Sequence, residues 1–261
     1  MIAQRLGGHP LALQLHDENS HLPEAGDDLL QWVSDVVLAG LSEAELNCVD
    51  NMALLPIPVP CEMLRDQDSI AVLDERALIR WPKESVELQH LVRNVRFADL
   101  DQSTFRKALD YWCNLPDDLA RLIELHLRVI CDEDCEGHLL ANSEPLLVEY
   151  DSALAVLIED ALLRNSTPPL HRLAAFVAIE RGESEIAKSH LQQLEAPDLD
   201  LRLALLEGRM DDVERIESKV EDQARMVVAK AVRALDDRLP RHQPQFDIDS
   251  IIESLDISTL D

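Results

Sequence analysis

The chain has 261 residues, with 24 basic and 51 acidic side chains, a formal net charge of −27, 46% apolar residues, 3% aromatics and 7 glycines. That length supports two or three modules, each with a core of ordinary size. The longest apolar runs are only a few residues, which excludes a transmembrane helix, and no segment is basic, which removes the electrostatic footprint of a reader of nucleic-acid backbones.

Scarce glycine with abundant Leu and Ala favours helix over sheet. The charge divides as −5 over residues 1–40, −5 over 41–100 and −17 over 101–261. Lysine is scarce, 5 against 19 arginines, and Asp outnumbers Glu 28 to 23, the bias of a salt-adapted surface. Met1-Ile2-Ala3-Gln4-Arg5-Leu6 runs into Gly7-Gly8-His9-Pro10, which interrupts the apolar core of a signal peptide, so a cytoplasmic location is expected. The five cysteines are then read as reduced thiols.

Residues 1–40 read as a helical, lid-like segment. Gly7-Gly8 permits a tight turn, Pro10 sets φ for a first helical position, and Leu11, Ala12, Leu13 and Leu15 follow as an apolar start. Asp27-Asp28 then opens an amphipathic helix through Leu29, Leu30, Trp32, Val33, Val36, Val37 and Leu38, closed by Gly40.

Residues 41–100 read as a winged-helix domain. Ser42 with Glu45 makes a capping box for the first helix, which stops at Pro56-Ile57-Pro58-Val59-Pro60, an extended connection. A short helix over Cys61 to Arg65 and a third helix, capped by Asp68 or Ser69 and with Ile70, Val72, Leu73 and Leu78 on one face, follow. Ile79-Arg80-Trp81-Pro82 and Val86-Glu87-Leu88 are short strands around the polar turn Lys83-Glu84-Ser85, and a last helix runs from His90 to Leu100. Three helices and a two-stranded wing form the winged-helix order, a variant of helix-turn-helix. A DNA reader carries Arg, Lys, Asn or Gln on its third helix, whereas this one sets Asp74 and Glu75 against Arg76 and Arg80. DNA is therefore not expected as a partner.

Two motifs in this order resemble a known family. Gly8-His9-Pro10-Leu11-Ala12-Leu13 is similar to the Gly-x-Pro-Leu-Ala motif of STAND-type signalling ATPases, which include apoptotic and plant immune nucleotide switches and many prokaryotic regulators. Eighty residues after Pro10, Gln89-His90-Leu91-Val92-Arg93 resembles the histidine motif that ends the winged helix of that family. The resemblance covers about residues 1–135. It implies that Pro10 lies against a bound adenine and that His90 senses the β-phosphate of ADP. The departure is large: the chain has no Gly-x-x-x-x-Gly-Lys-Ser/Thr loop to cradle phosphates and no following acidic strand end to hold Mg²⁺. No cofactor is expected, and ATP or ADP enters only if another chain completes the site, as for a split or truncated switch whose ATPase core would precede residue 1. Read without the family, Pro10 starts a helix and His90 stands at the beginning of one.

Residues 101–239 read as a domain of TPR-like helical repeats. Phe105, Leu109 and Trp112 share one stripe, and Leu119 to Ile130 form a second helix after Pro116-Asp117-Asp118. His126, Cys131, Cys135 and His138 are four candidate zinc ligands, but their spacing matches no familiar finger and lacks a C-x-x-C knuckle, so no metal is expected. From Ala153 a repeat is visible: Ala178, Gly182 and Ala187 align with Ala204, Gly208 and Val213 at an offset of 26 residues. Small residues let paired helices approach, glycine turns the chain between them, and the offset is shorter than the usual ~34 residues, giving irregular hairpins punctuated by Pro168-Pro169 and Pro197. A further helix is expected over Met226 to Leu239. Residues 240–261 read as an acidic amphipathic tail, expected to cap the repeats or to dock on another protein.

No Ser-His-Asp, Cys-His or phosphate-loop arrangement stands in a convincing context, and the nine histidines are scattered. The expected fold is mainly α, a winged-helix domain followed by an α-solenoid of TPR-like hairpins. The expected function is a non-enzymatic regulatory protein that acts through protein contacts, with a P-loop ATPase chain or a basic protein surface as partner and no membrane. Two alternatives stand beside it: a winged-helix transcription regulator with a helical sensor, and a subunit that completes a nucleotide site in trans.

Overall fold

The structure, a computed structural model, describes residues 33–133, 135–192, 194–217 and 219–220. It is mainly helical and divides into two compact units, one ending at Cys135 and the other beginning at Glu136. The first unit thus keeps the helix pair that follows residue 100 together with the helices and sheet before it. The expected helices before residue 33 and over Met226 to Leu239, the tail 240–261 and Pro10 lie outside the described residues.

In the first unit, the segment expected to finish an α-helix is instead a π-helical turn, Val33–Leu38, with Val33 and Leu38 buried. Helix α1, Glu43–Ala53, begins as its capping box requires: the Ser42 amide donates to Glu45 Oε2 at 2.6 Å and the Glu45 amide to Ser42 Oγ at 3.4 Å. Its Cys48, Val49, Met52 and Ala53 are buried. The proline-rich stretch forms a strand, β1 (Val59–Pro60), where only an extended connector was expected. The helix expected over Cys61 to Arg65 is a single 3₁₀ turn, Cys61–Met63. Helix α2, Ile70–Glu75, follows a second 3₁₀ turn, Gln67–Ser69, and Ser69 makes no side-chain cap. Strands β2 (Ile79–Arg80) and β3 (Ser85–Leu88) complete an antiparallel sheet of order β1-β3-β2, in which Val59 faces Val86 and Ile79 faces Leu88. Pro60, lacking an N–H, sits at the end of an edge strand, where a missing donor costs least.

Helix α3, His90–Asp99, packs on α1 and is tied to it by a bidentate pair, Arg96 Nε to Asp50 Oδ1 at 2.7 Å and Nη2 to Oδ2 at 3.0 Å. Arg93, on the same helix, reaches the Ala53 carbonyl at the end of α1. Helices α4 (Gln102–Trp112) and α5 (Asp118–Ile130) pack as a pair, capped by Asp101 and Asp117. Phe105, Leu109 and Trp112 are buried, as their spacing predicts.

The second unit begins with Glu136–Arg164, two helices broken at Tyr150 (φ −125°, ψ 25°) and together called α6. Helices α7 (Pro168–Glu180), α8 (Ser184–Leu191), α9 (Pro197–Leu206) and α10 (Met210–Glu217) follow, each packed on its neighbours in the chain. Pro168 and Pro197 start helices, where the missing N–H is harmless.

The 26-residue repeat is a repeat of helix endings. After α7, Glu183 N–H donates to the Ala178 carbonyl at 2.8 Å and Gly182 N–H to that of Ile179 at 2.9 Å. After α9, Arg209 N–H reaches Ala204 at 2.9 Å and Gly208 N–H reaches Leu205 at 3.2 Å. Both ends are Schellman motifs, with Gly182 at φ +74° and Gly208 at φ +67°. Ala178, Ala187, Ala204 and Val213 are all buried where the paired helices meet. α2 ends in the same motif, but its left-handed residue is Ala77 (φ +55°), whose Cβ makes that conformation unfavourable. A Cβ at position 182 would meet nothing within 4 Å, so only the backbone conformation resists it. Gly182→Ala is therefore expected to cost about 1 kcal/mol, while Ala77→Gly is neutral or stabilising by a few tenths. Urea unfolding should show a loss of stability in the first variant and none in the second.

Candidate functional site

Two places gather chemistry-bearing side chains, one in each unit. In the first, β2 and β3 set Arg80 opposite Glu87, and the guanidinium lies 3.0 Å (Nε to Oε1) from that carboxylate. The other end of the same guanidinium, Nη2, lies 2.5 Å from Nε2 of His90, the first residue of α3. An arginine only donates, so His90 Nε2 accepts and the ring proton sits on Nδ1. Gln89 stands at the N-cap of α3 without a side-chain cap bond, and the helix start carries the positive end of its dipole. His90 itself is exposed. At this corner Arg80 is the cation that meets neutral His90 and the start of α3, and Glu87 is its counter-charge. Arg93 points the other way: burial holds its guanidinium below the usual arginine range, opposed by Glu87, and its bond to Ala53 makes it part of the α1–α3 packing.

On the exposed side of α2 two charged side chains bond within the chain. Asp74 accepts the Trp81 indole N–H at 3.0 Å, and Arg76 donates to the Gly40 carbonyl at 2.8 Å.

The candidate zinc ligands His126, Cys131, Cys135 and His138 do not come together with other donors: among the described residues no group of three or more His, Cys, Asp or Glu is placed to hold a metal. Cys131 instead caps the end of α5, and Asp132 takes the left-handed position after it (φ +58°).

In the second unit the structure joins residues that the sequence leaves scattered. His190 on α8, 7% exposed, places Nε2 at 2.9 Å from Glu159 Oε1 on α6 and Nδ1 at 3.1 Å from His171 Nδ1 on α7, and His171 Nε2 lies 2.9 Å from Ser166 Oγ. A carboxylate only accepts, so a neutral His190 carries its proton on Nε2 and offers a bare Nδ1. His171 then donates from Nδ1, leaving its Nε2 to accept from the serine hydroxyl. Every donor meets an acceptor along the line Ser166, His171, His190, Glu159. The legible signal is the Gly182 turn: antiparallel helices bring together residues at similar distances on either side of it, and these histidines stand eleven before and eight after.

Beside this line lies a groove of about 300 Å³ between α6, α7 and α8. Glu159 belongs to both. No helix among the described residues is long and apolar enough to cross a membrane.

Neither a protein-family model nor a curated protein sequence matches the chain. Among solved structures, the crystal structure of the signal transduction ATPase with numerous domains (STAND) protein with a tetratricopeptide repeat sensor from Pyrococcus horikoshii is similar at TM-score 0.46 and 14% identity. The likeness covers 92% of this chain and 42% of that one.

Proposed function

We propose that this chain is a non-enzymatic regulatory protein that acts through protein contacts, built as a winged-helix domain followed by an α-solenoid of TPR-like hairpins. The observation that carries this reading is the repeated hairpin of the second unit. Two identical glycine-ended helix turns, at a fixed offset, stack helices so that each packs on its neighbours, the construction that presents extended surfaces to partners. The helical elements before β2 and β3, with β1 completing the sheet on β3, support the winged-helix part. The acidic Asp74 and the intramolecular bond of Arg76 count against the transcription-regulator alternative.

One observation favours the second reading, a nucleotide site completed in trans. Arg80 and His90 meet at an uncapped helix start, the chemistry that receives a phosphate, at the position where the STAND-like motif implies a β-phosphate sensor. Pro10 would contribute only from the segment outside the described residues.

Affinity capture from native extract with the whole chain as bait, with and without ADP, tests both. A defined partner is expected in each case. If that partner is a P-loop ATPase whose retention rises with ADP, His90→Ala should abolish the ADP effect, and the trans site stands. A purified chain that hydrolyses ATP alone, or that retains no partner and binds random duplex at low salt, overturns the proposal.

A further inference from the structure

The groove between the second half of α6, α7 and α8 has the form of a docking site. Its buried lining is wholly apolar, Ile158, Ala174, Val177 and Ala178, with Ala155 beside them. On its walls stand two apolar side chains that a solitary helical unit leaves in water, Val156 at 63% and Ile186 at 46% exposure. Its rim carries Glu159, Asp160, Glu183 and Arg181, and the single cation is already matched: Arg181 bonds Glu183 Oε1 at 2.7 Å and Asp151 Oδ2 at 3.3 Å. The unmatched charge at the mouth is therefore negative. Glu159 is also held in place, because His190 bonds its Oε1. An apolar floor under an acidic rim fits one chemistry, a bulky aliphatic side chain followed by an ammonium or guanidinium.

We propose that this groove binds a partner segment in which a Leu- or Ile-sized side chain stands beside lysine or arginine. The inference rests on the interaction-protein reading above and names the surface and the partner chemistry for it. The aliphatic group covers Val156, Ile186 and the apolar floor, and the cation meets Glu159 and Asp160. The apolar contact gives affinity, while the charges give orientation and speed of association.

The test uses the full chain and a short fluorescein-labelled leucine–lysine peptide, read by fluorescence polarisation, with alanine–lysine and leucine–glutamate peptides of the same length as controls. The leucine–lysine peptide should bind about tenfold more tightly than either control. Val156→Ser with Ile186→Ser should weaken it about tenfold. Glu159→Gln with Asp160→Asn should weaken it similarly and remove most of its salt dependence. Glu144→Gln with Glu149→Gln, exposed positions on the first half of α6, takes away the same charge outside the groove and should leave binding unchanged. Both groove variants lie at the surface, and unchanged thermal midpoints would show that they fold. Absence of binding, equal binding of the alanine–lysine peptide, or equal loss in the Glu144/Glu149 variant overturns the proposal, the last showing attraction to the acidic surface at large. Repeating the capture experiment with the Val156/Ile186 variant separates the two readings: a partner retained as before leaves the interaction protein standing without this groove, and no partner with either chain removes both.

Discussion

His190→Ala is expected to destabilise the second unit by about 3 kcal/mol, whereas Glu159→Gln should cost less than about 1 kcal/mol. The asymmetry follows from the order of donors along the line. Removing the imidazole leaves a cavity in a position 7% exposed and takes away the acceptor for His171 Nδ1–H, a donor that then faces the space between two helices. The glutamine at 159 still offers a carbonyl oxygen to His190 Nε2–H, so only the charge of that bond is lost, on a side chain that is 52% exposed. Urea unfolding followed by far-UV circular dichroism measures both. A double cycle of His171→Ala with His190→Ala should show coupling of about 1 kcal/mol. A His190→Ala variant as stable as the parent would mean that the two imidazoles do not hold α7 against α8.

What the sequence made legible was local. Ser42 and Glu45 are three residues apart, and the hydrogen bonds they exchange depend on nothing else in the fold. The alanine–glycine pattern of 178–187 and 204–213 was visible for the same reason, since a Schellman ending is written within six residues. Features that depend on partners distant in the chain were missed or misread. Val59 and Pro60 look like a connector because nothing near them shows that Ser85 and Val86 will pair with them. The helix expected to carry Leu78 on its apolar face stops at Glu75 because the chain turns left-handed at Ala77, a residue with no propensity for it, and tertiary structure overrides the local preference. The π-helical turn at Val33–Leu38 keeps both of its end residues buried, and the apolar pattern suits it as well as it suits an α-helix. The candidate sites divide the same way. His90 was singled out as a candidate by its motif, but its contact with Arg80 required the β2–β3 register. The His171–His190 meeting required the hairpin itself.

The first unit should lose stability in alkali through one thiol. Cys48 on α1 is 1% exposed, and burial, with smaller contributions from the Asp66 and Cys61 charges, pushes it from the ordinary 9.0 up to about 12. The unfolded chain releases this proton near the ordinary value while the folded chain keeps it. Above that pH the unfolded state binds fewer protons, and each further unit of pH favours unfolding. The stabilising contribution is complete below about pH 9 and is lost as pH rises towards 12. Between pH 8 and pH 11 the loss from this group alone should be about 3 kcal/mol. Other groups titrate in the same range, so the informative quantity is a difference. Cys48→Ala costs about 1 kcal/mol at pH 8 through the small cavity it leaves. It removes the titrating group, so the variant should fall by about 3 kcal/mol less than the parent on going to pH 11. A parallel fall in parent and variant would show that the folded chain lets Cys48 ionise. Iodoacetamide offers an independent reading at pH 9: exposed Cys113 should be alkylated in the folded chain and Cys48 spared until urea is added.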